Sequence, residues 1–172
     1  MPNDRPPLRR VLDDRGAPSR VGRLVSVNVS PGGVPKLPVD RARLSPAGVE
    51  GDRQRDLQYH GGPERAVSIY SLDLIEALRE EGHPIGIGTT GENLTLGGLD
   101  WSLMVPGTRL RIGEAEVEIT AYAAPCRTIA GSFIGRRIGR IAEAKNQGWS
   151  RVYARVVVDG QVWRDCVARL IG

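Results

Sequence analysis

Cysteine and histidine are scarce in this 172-residue chain, which holds two of each: Cys126 and Cys166, His60 and His83. Two widely separated cysteines exclude a disulfide framework and a self-contained four-cysteine iron–sulfur cluster. With so few histidines a conventional zinc site is not expected either. Aromatic residues make up only 5% of the chain, too few for a basic-aromatic platform on which nucleic-acid bases stack, so nucleic acid is not an expected partner. Long apolar runs are also missing. The opening stretch "MPNDRPPLRRVLDDRGAPSR" is rich in Pro, Arg and Asp and reads as neither signal peptide nor membrane anchor. These absences lead to the expectation of a reducing cytoplasm and no membrane partner, with residues 1–20 as a flexible arm.

What remains is enough for one hydrophobic core, and residues 21–172 are expected to form a single domain. The formal charge is +4 with Lys and Arg spread along the chain, which suits a small anionic ligand better than a nucleic-acid surface. From Val21, "VGRLVSVNVS" alternates with the period of a strand. The following "PGGVPKLPVD" carries three prolines, so it is a loop or an edge, and it presents Lys36. "RAVSIYS" reads as a short buried strand that runs into a helix, "SLDLIEALREE", with Ser71 as N-cap and an apolar stripe of Leu72, Leu74, Ile75 and Leu78. Gly82 and Pro84 end it. Downstream, "ENLTLGGLD" is strand-like and "TRLRIGEAEVEIT" reads as a hairpin about Gly113 and Glu114. "RVYARVVVDGQVWRDCV" reads as a second hairpin turning at Asp159-Gly160. Between the hairpins, the later part of "RTIAGSFIGRRIGRIAEAKNQG" has the composition of a basic helix interrupted by glycines. The expected fold class is mostly β with a few helices (α+β), a barrel with helices packed outside it.

The chemistry-bearing positions lie between these elements. In "YAAPCRTIAG", Cys126 follows Pro125 at the end of an apolar run and precedes Arg127, whose charge favours a thiolate. A thiolate is a soft metal ligand and a nucleophile. From these flanks alone, a structural thiol and a functional thiolate fit equally well. Cys166 lacks such flanks and reads as structural. "GDRQRDLQYHGGPERAV" sets Asp52, Arg53, His60 and Arg65 around two glycines, where an imidazole and bare backbone N–H groups can meet a ligand, although a solvated turn has the same composition. Asn93 in "TGENLTLGGLD" is a candidate amide donor. Lys36 is a candidate phosphate-binding charge or, by default, a solvated surface lysine.

Taken in order, "PKLPV", "GVEGDRQRDLQYHGGPERAVSIYS", "TTGENLTLGGLD" with "PGTRLRIGEAEVEIT", "APC" and "GWSRVYARVVVDGQV" resemble the MOSC domain family, named after the C-terminus of molybdenum cofactor sulfurase. The resemblance spans roughly Val21 to Val167 and is closest to the small stand-alone bacterial form. It implies a β-barrel and, at Cys126, a thiolate that ligates the molybdenum of the pterin cofactor (molybdopterin) or carries sulfur as a persulfide. Relatives that bind the cofactor reduce small N-hydroxylated substrates with electrons from an external redox protein. The resemblance puts Lys36, Arg53, His60, Arg65 and Asn93 in the family's patterned segments. We expect Lys36, Arg53, Arg65, Asn93 and Arg127 as cofactor contacts and His60 as a catalytic proton carrier beside Cys126. A sulfur carrier and a non-enzymatic binding module are the alternatives.

Overall fold

The computed structural model describes residues 6–53 and 62–172. Among these residues the strands are β1 (Val21–Val29), β2 (Leu37–Val39), β3 (Arg41–Ser45), β4 (Gly48–Val49), β5 (Val67–Ser71), β6 (Leu94–Gly97), β7 (Arg109–Ile112), β8 (Ala115–Tyr122), β9 (Val152–Val158), β10 (Gly160–Trp163) and β11 (Val167–Ile171), and an α-helix, α1 (Leu72–Glu80), follows β5. The main sheet runs β11-β7-β8-β9-β5-β6-β1-β2, and a further β1–β11 pairing closes it, so that seven strands form a barrel and β2 extends it along β1. Closure comes from the length of β1. Its first residues pair with β11 (Val21 opposite Arg169), and past an irregularity between Leu24 and Ser26 its last residues pair with β2 (Val27 opposite Val39). A small second sheet, β10-β3-β4, packs beside the barrel.

The apolar face of each strand fills the interior. Leu24, Ile69, Leu94, Leu110, Val117, Val152 and Ala154 are each fully buried there, and burying each Leu, Ile or Val contributes about 1.5–3 kcal/mol. The parallel β5–β6 pair needs a crossover, which α1 provides. The Ser71 hydroxyl accepts from the N–H of Leu74 at 3.2 Å as the sequence predicts, and Leu74, Ile75, Ala77 and Leu78 are buried against the barrel. The first predicted hairpin also forms, with Ile112 opposite Ala115 and Gly113 at φ 56° in its two-residue turn. β2 is an edge strand, as Pro38 within it requires.

Two sequence expectations are corrected. The second hairpin does not form: β9 pairs with β8 and β5, whereas β10 leaves the barrel to pair with β3, Gly160 opposite Leu44. Neither Asp159 nor Gly160 has a positive φ. The glycine serves a close approach instead, since a Cβ there would lie 2.7 Å from the carbonyl carbon and oxygen of Glu114. The basic helix is replaced by short 3₁₀ turns at Arg127–Ser132, Ile134–Arg136 and Ile138–Ile141. Left-handed backbone at Gly135 (φ 60°) and Arg136 (φ 58°) breaks any continuous helix, and the N–H of Ile134 is donated to His83 Nδ1 at 3.1 Å. Ahead of the barrel, Arg10 Nε donates to the buried carboxylate of Asp100 at 2.8 Å. No helix among the described residues is long and apolar enough to cross a membrane.

Candidate functional site

Cys126 sits where β8 gives way to the first 3₁₀ turn. Its backbone is extended (φ −125°, ψ 170°), and its carbonyl accepts from the N–H of Ile129 at 3.2 Å to start that turn. The thiol is free and half-buried. The segment leading to it is fixed twice by Arg151, which precedes β9. The N–H of Ala123 donates to the Arg151 carbonyl at 2.9 Å, and Arg151 Nη2 donates to the carbonyl of Ala124 at 3.4 Å. The same guanidinium donates from Nη1 to the carbonyl of Thr90 at 2.7 Å. Arg151 therefore ties the Cys126 segment to residues 88–93, which lead into β6.

That second segment is organised from inside by Glu92. The side chain is fully buried, and its carboxyl accepts from the N–H of Gly88 and, at 2.6 Å, from the hydroxyl of Thr90. Gly88 has φ 80°, and a Cβ there would stand 2.1 Å from the carbonyl oxygen of Lys36, so the position admits only glycine without rearrangement. The Gly88 carbonyl accepts from the N–H of Lys36 at 2.9 Å, which brings the third segment alongside.

Lys36 and Asn93 meet on Asp52. The Asp52 carboxylate accepts from Lys36 Nζ at 2.6 Å and Asn93 Nδ2 at 2.9 Å through one oxygen, and from the N–H of Ser30 at 2.9 Å through the other. The Lys36 and Asp52 side chains are only 10% and 4% exposed. Asn93 is held further by Ser68, whose N–H and hydroxyl donate to its Oδ1 at 3.1 and 3.2 Å. Arg53, Arg65 and Arg127 are exposed. Arg53 donates its backbone N–H to Ser30, and the Arg65 guanidinium lies 5.4 Å from the centre of the Tyr153 ring. His60 lies outside the described residues. Cys166 is buried just ahead of β11, its carbonyl accepting from the N–H of Leu24 and its thiol pushed upward in pKa by burial, as befits a structural cysteine.

The structure thus joins Lys36 to Asn93 through Asp52 and connects them through residues 88–93 and Arg151 to the segment that ends at Cys126. Of the anchors themselves, sequence reasoning placed Asp52 in a candidate loop without an anchoring role and passed over Ser68, Glu92 and Arg151. An arginine amid the apolar residues of "GWSRVYARV" and a glutamate between glycine and asparagine in "GEN" were the available signals.

Burial pushes the Glu92 carboxyl above its usual 4.5, against the lowering effect of its hydrogen bonds from Thr90 and Gly88. The native state then holds this proton at pH values where the unfolded chain has released it, so the group costs stability as pH rises above about 4.5. Glu92→Gln carries no such cost. Thermal melts of the two proteins should show the variant gaining on the parent between pH 4.5 and 7, whereas a constant difference across that range contradicts the assignment.

A closed seven-strand barrel with a half-buried thiol on one of its connecting segments defines an architectural class. A family model for the MOSC domain matches residues 56–167, well over half of the chain. The chain belongs to the MOSC domain family. The match includes Asn93, Cys126 and Arg151 and leaves Lys36 and Asp52 ahead of its start. Among curated proteins, the chain is 32% identical over 132 residues to the uncharacterized protein YflK of Bacillus subtilis, covering 76% of this chain and 59% of that protein. It is 29% identical over 147 residues to Escherichia coli protein YiiM, covering 82% of this chain and 64% of YiiM. It therefore spans about three fifths of the length of these relatives. The crystal structure of YiiM from Geobacillus stearothermophilus shares the fold at a TM-score of 0.65 and 23% identity, over 88% of this chain and 75% of that one.

Proposed function

We propose that this chain binds the molybdenum cofactor and reduces N-hydroxylated compounds, with Cys126 as the protein's ligand to the metal. The observation that carries the reading is the placement of Cys126, a free, half-buried thiol on a segment braced by a buried arginine. The donor set fits the group. A thiolate is a soft ligand suited to molybdenum, while guanidinium and ammonium groups suit the phosphate of the pterin.

When bound, the cofactor supplies the two-electron chemistry: an N-hydroxylated amine, two electrons and two protons give the amine and water, the N–O bond being the one that breaks. The chain's own residues bind and orient. Cys126 holds the metal, the exposed Arg53, Arg65 and Arg127 present charge to the cofactor or substrate, and His60 carries a proton. The Lys36–Asp52–Asn93 cluster fixes the loops on which these groups stand. Electrons come from a separate redox protein.

The protein purified from a cofactor-producing host should contain molybdenum and pterin near one per chain, and should reduce an amidoxime only when a donor protein is added. Sustained turnover with a pyridine nucleotide and the purified chain alone would contradict the external donor. Cyanide-labile sulfur on Cys126 without molybdenum would shift the reading to a sulfur carrier.

A further inference from the structure

The run of 3₁₀ turns after Cys126 is held at both ends and clasped once in the middle. At the near end the Ser132 hydroxyl donates to Thr89 Oγ1 at 2.9 Å, and Phe133 is buried. At the far end Arg140 Nε donates to the Glu81 carboxylate at 2.9 Å, and the guanidinium lies over the Trp149 ring. Between these anchors residues 134–137 are exposed and pass through left-handed backbone at Gly135 and Arg136. Among the described residues, the one hydrogen bond that joins this stretch to anything outside the run goes from the N–H of Ile134 to His83 Nδ1.

The end of α1 sets His83 in place, the N–H groups of Gly82 and His83 donating back to the carbonyls of Arg79 and Leu78. The His83 side chain is 10% exposed, and its ring meets that of Phe133 edge-on at 5.5 Å. With Nδ1 accepting, the ring proton sits on Nε2, which lies 3.4 Å from the Glu81 carboxylate. Two partners therefore call for different forms of one ring. Ile134 needs it neutral, because a second proton on Nδ1 would point at an N–H. Glu81 and the carbonyl end of α1 favour the cation. Arg140, which shares Glu81, opposes it, as do Arg136 and Arg137 on the exposed turn, more weakly. Histidine is the side chain whose charge changes between about pH 5 and 8. Glu81 stays ionised across that range, since its hydrogen bond from Arg140 holds its carboxyl below the usual value.

We infer that His83 is a pH-sensitive latch on the turn after Cys126: neutral, it clasps Ile134 to the end of α1, and protonated, it keeps Glu81 and releases the turn. The anchors at Ser132 and Arg140 hold in both states, so acid loosens residues 134–137 while the barrel stays folded. The inference goes beyond the proposed reaction and rests on neither molybdenum nor turnover.

Amide hydrogen exchange of the full chain without cofactor, resolved to Ile134 and corrected for the intrinsic effect of pH on exchange, tests it. Opening at Ile134 should rise about fivefold from about pH 7.5 to about pH 5.5, the effect of losing one intramolecular hydrogen bond. His83→Asn keeps an acceptor that does not titrate and should stay protected at both pH values. His83→Leu has no acceptor, so exchange should be fast at both. Glu92, whose carboxyl is raised by burial, organises the loop that carries Thr89, so the response should persist in Glu92→Gln. Unchanged exchange in β1 and β9 would show that the fold is intact in each variant. A flat parent, a pH response that survives in either His83 variant, or one that is lost in Glu92→Gln overturns the inference. Because no cofactor is involved, these outcomes are separate from the molybdenum content that tests the proposed function.

Discussion

With Cys126 as the proposed metal ligand, Cys126→Ala is expected to be purified without molybdenum and to turn over N-hydroxylated substrate at least about 10³-fold more slowly than the parent, the scale of removing a group that acts at the reacting centre. The fold should survive. No hydrogen bond reaches the sulfur among the described residues, and the thiol is only half-buried, so truncation leaves no unsatisfied partner and little cavity. A melting temperature close to the parent's together with an empty metal site would isolate the ligand role. Metal analysis and single-substrate kinetics on both proteins decide the matter, and full reductase activity in the variant would sink the mechanism. Cys126→Ser should behave like the alanine variant, since a neutral hydroxyl is a poor substitute for a soft thiolate.

The largest stability effect is expected at a residue that never touches substrate. Asp52→Ala removes the carboxylate that receives Lys36 Nζ, Asn93 Nδ2 and the Ser30 N–H, and leaves a lysine that is 10% exposed without its counter-charge. Breaking a buried pair from one side costs about 3–5 kcal/mol. At about 2–4 °C per kcal/mol for a chain of this size, the melting temperature should fall by roughly 10 °C. Adding Lys36→Met should recover part of the loss, because the stranded charge leaves with it. Denaturant titration that places Asp52→Ala within about 1 kcal/mol of the parent would show that water already compensates the lysine.

Local patterns wrote much of the barrel into the sequence. The alternation of β1, the Ser71 cap of α1 and the Gly113 turn depend on residues within a few positions of one another, so they can be read directly. Asp159-Gly160 misled because the same dipeptide serves a turn or a close approach, and the approach here is to Glu114, far away in the chain. The basic segment after Cys126 misled because its conformation depends on an acceptor, His83 Nδ1, supplied by the loop that follows α1. The site divides in the same way. Cys126 was singled out by the family pattern, since its flanks alone fit a structural thiol equally well. Asp52, Glu92 and Arg151 gain meaning only from partners such as Asn93, Gly88 and Ala124, which no local window contains.

The pairing of β1 with β11 joins residues near Val21 to residues near Arg169. Contacts of such long sequence separation form slowly, because the intervening chain must first be ordered. On the ribosome, the first strand of the barrel must wait for the last to emerge. Arg151 and β9, which brace the Cys126 segment, are themselves made after the thiol they brace. A chain grown past Cys126 but short of Arg151 thus has the thiol without its brace. On the function proposed above, a cofactor would then meet a completed barrel, and folded, empty chains would be able to be filled later.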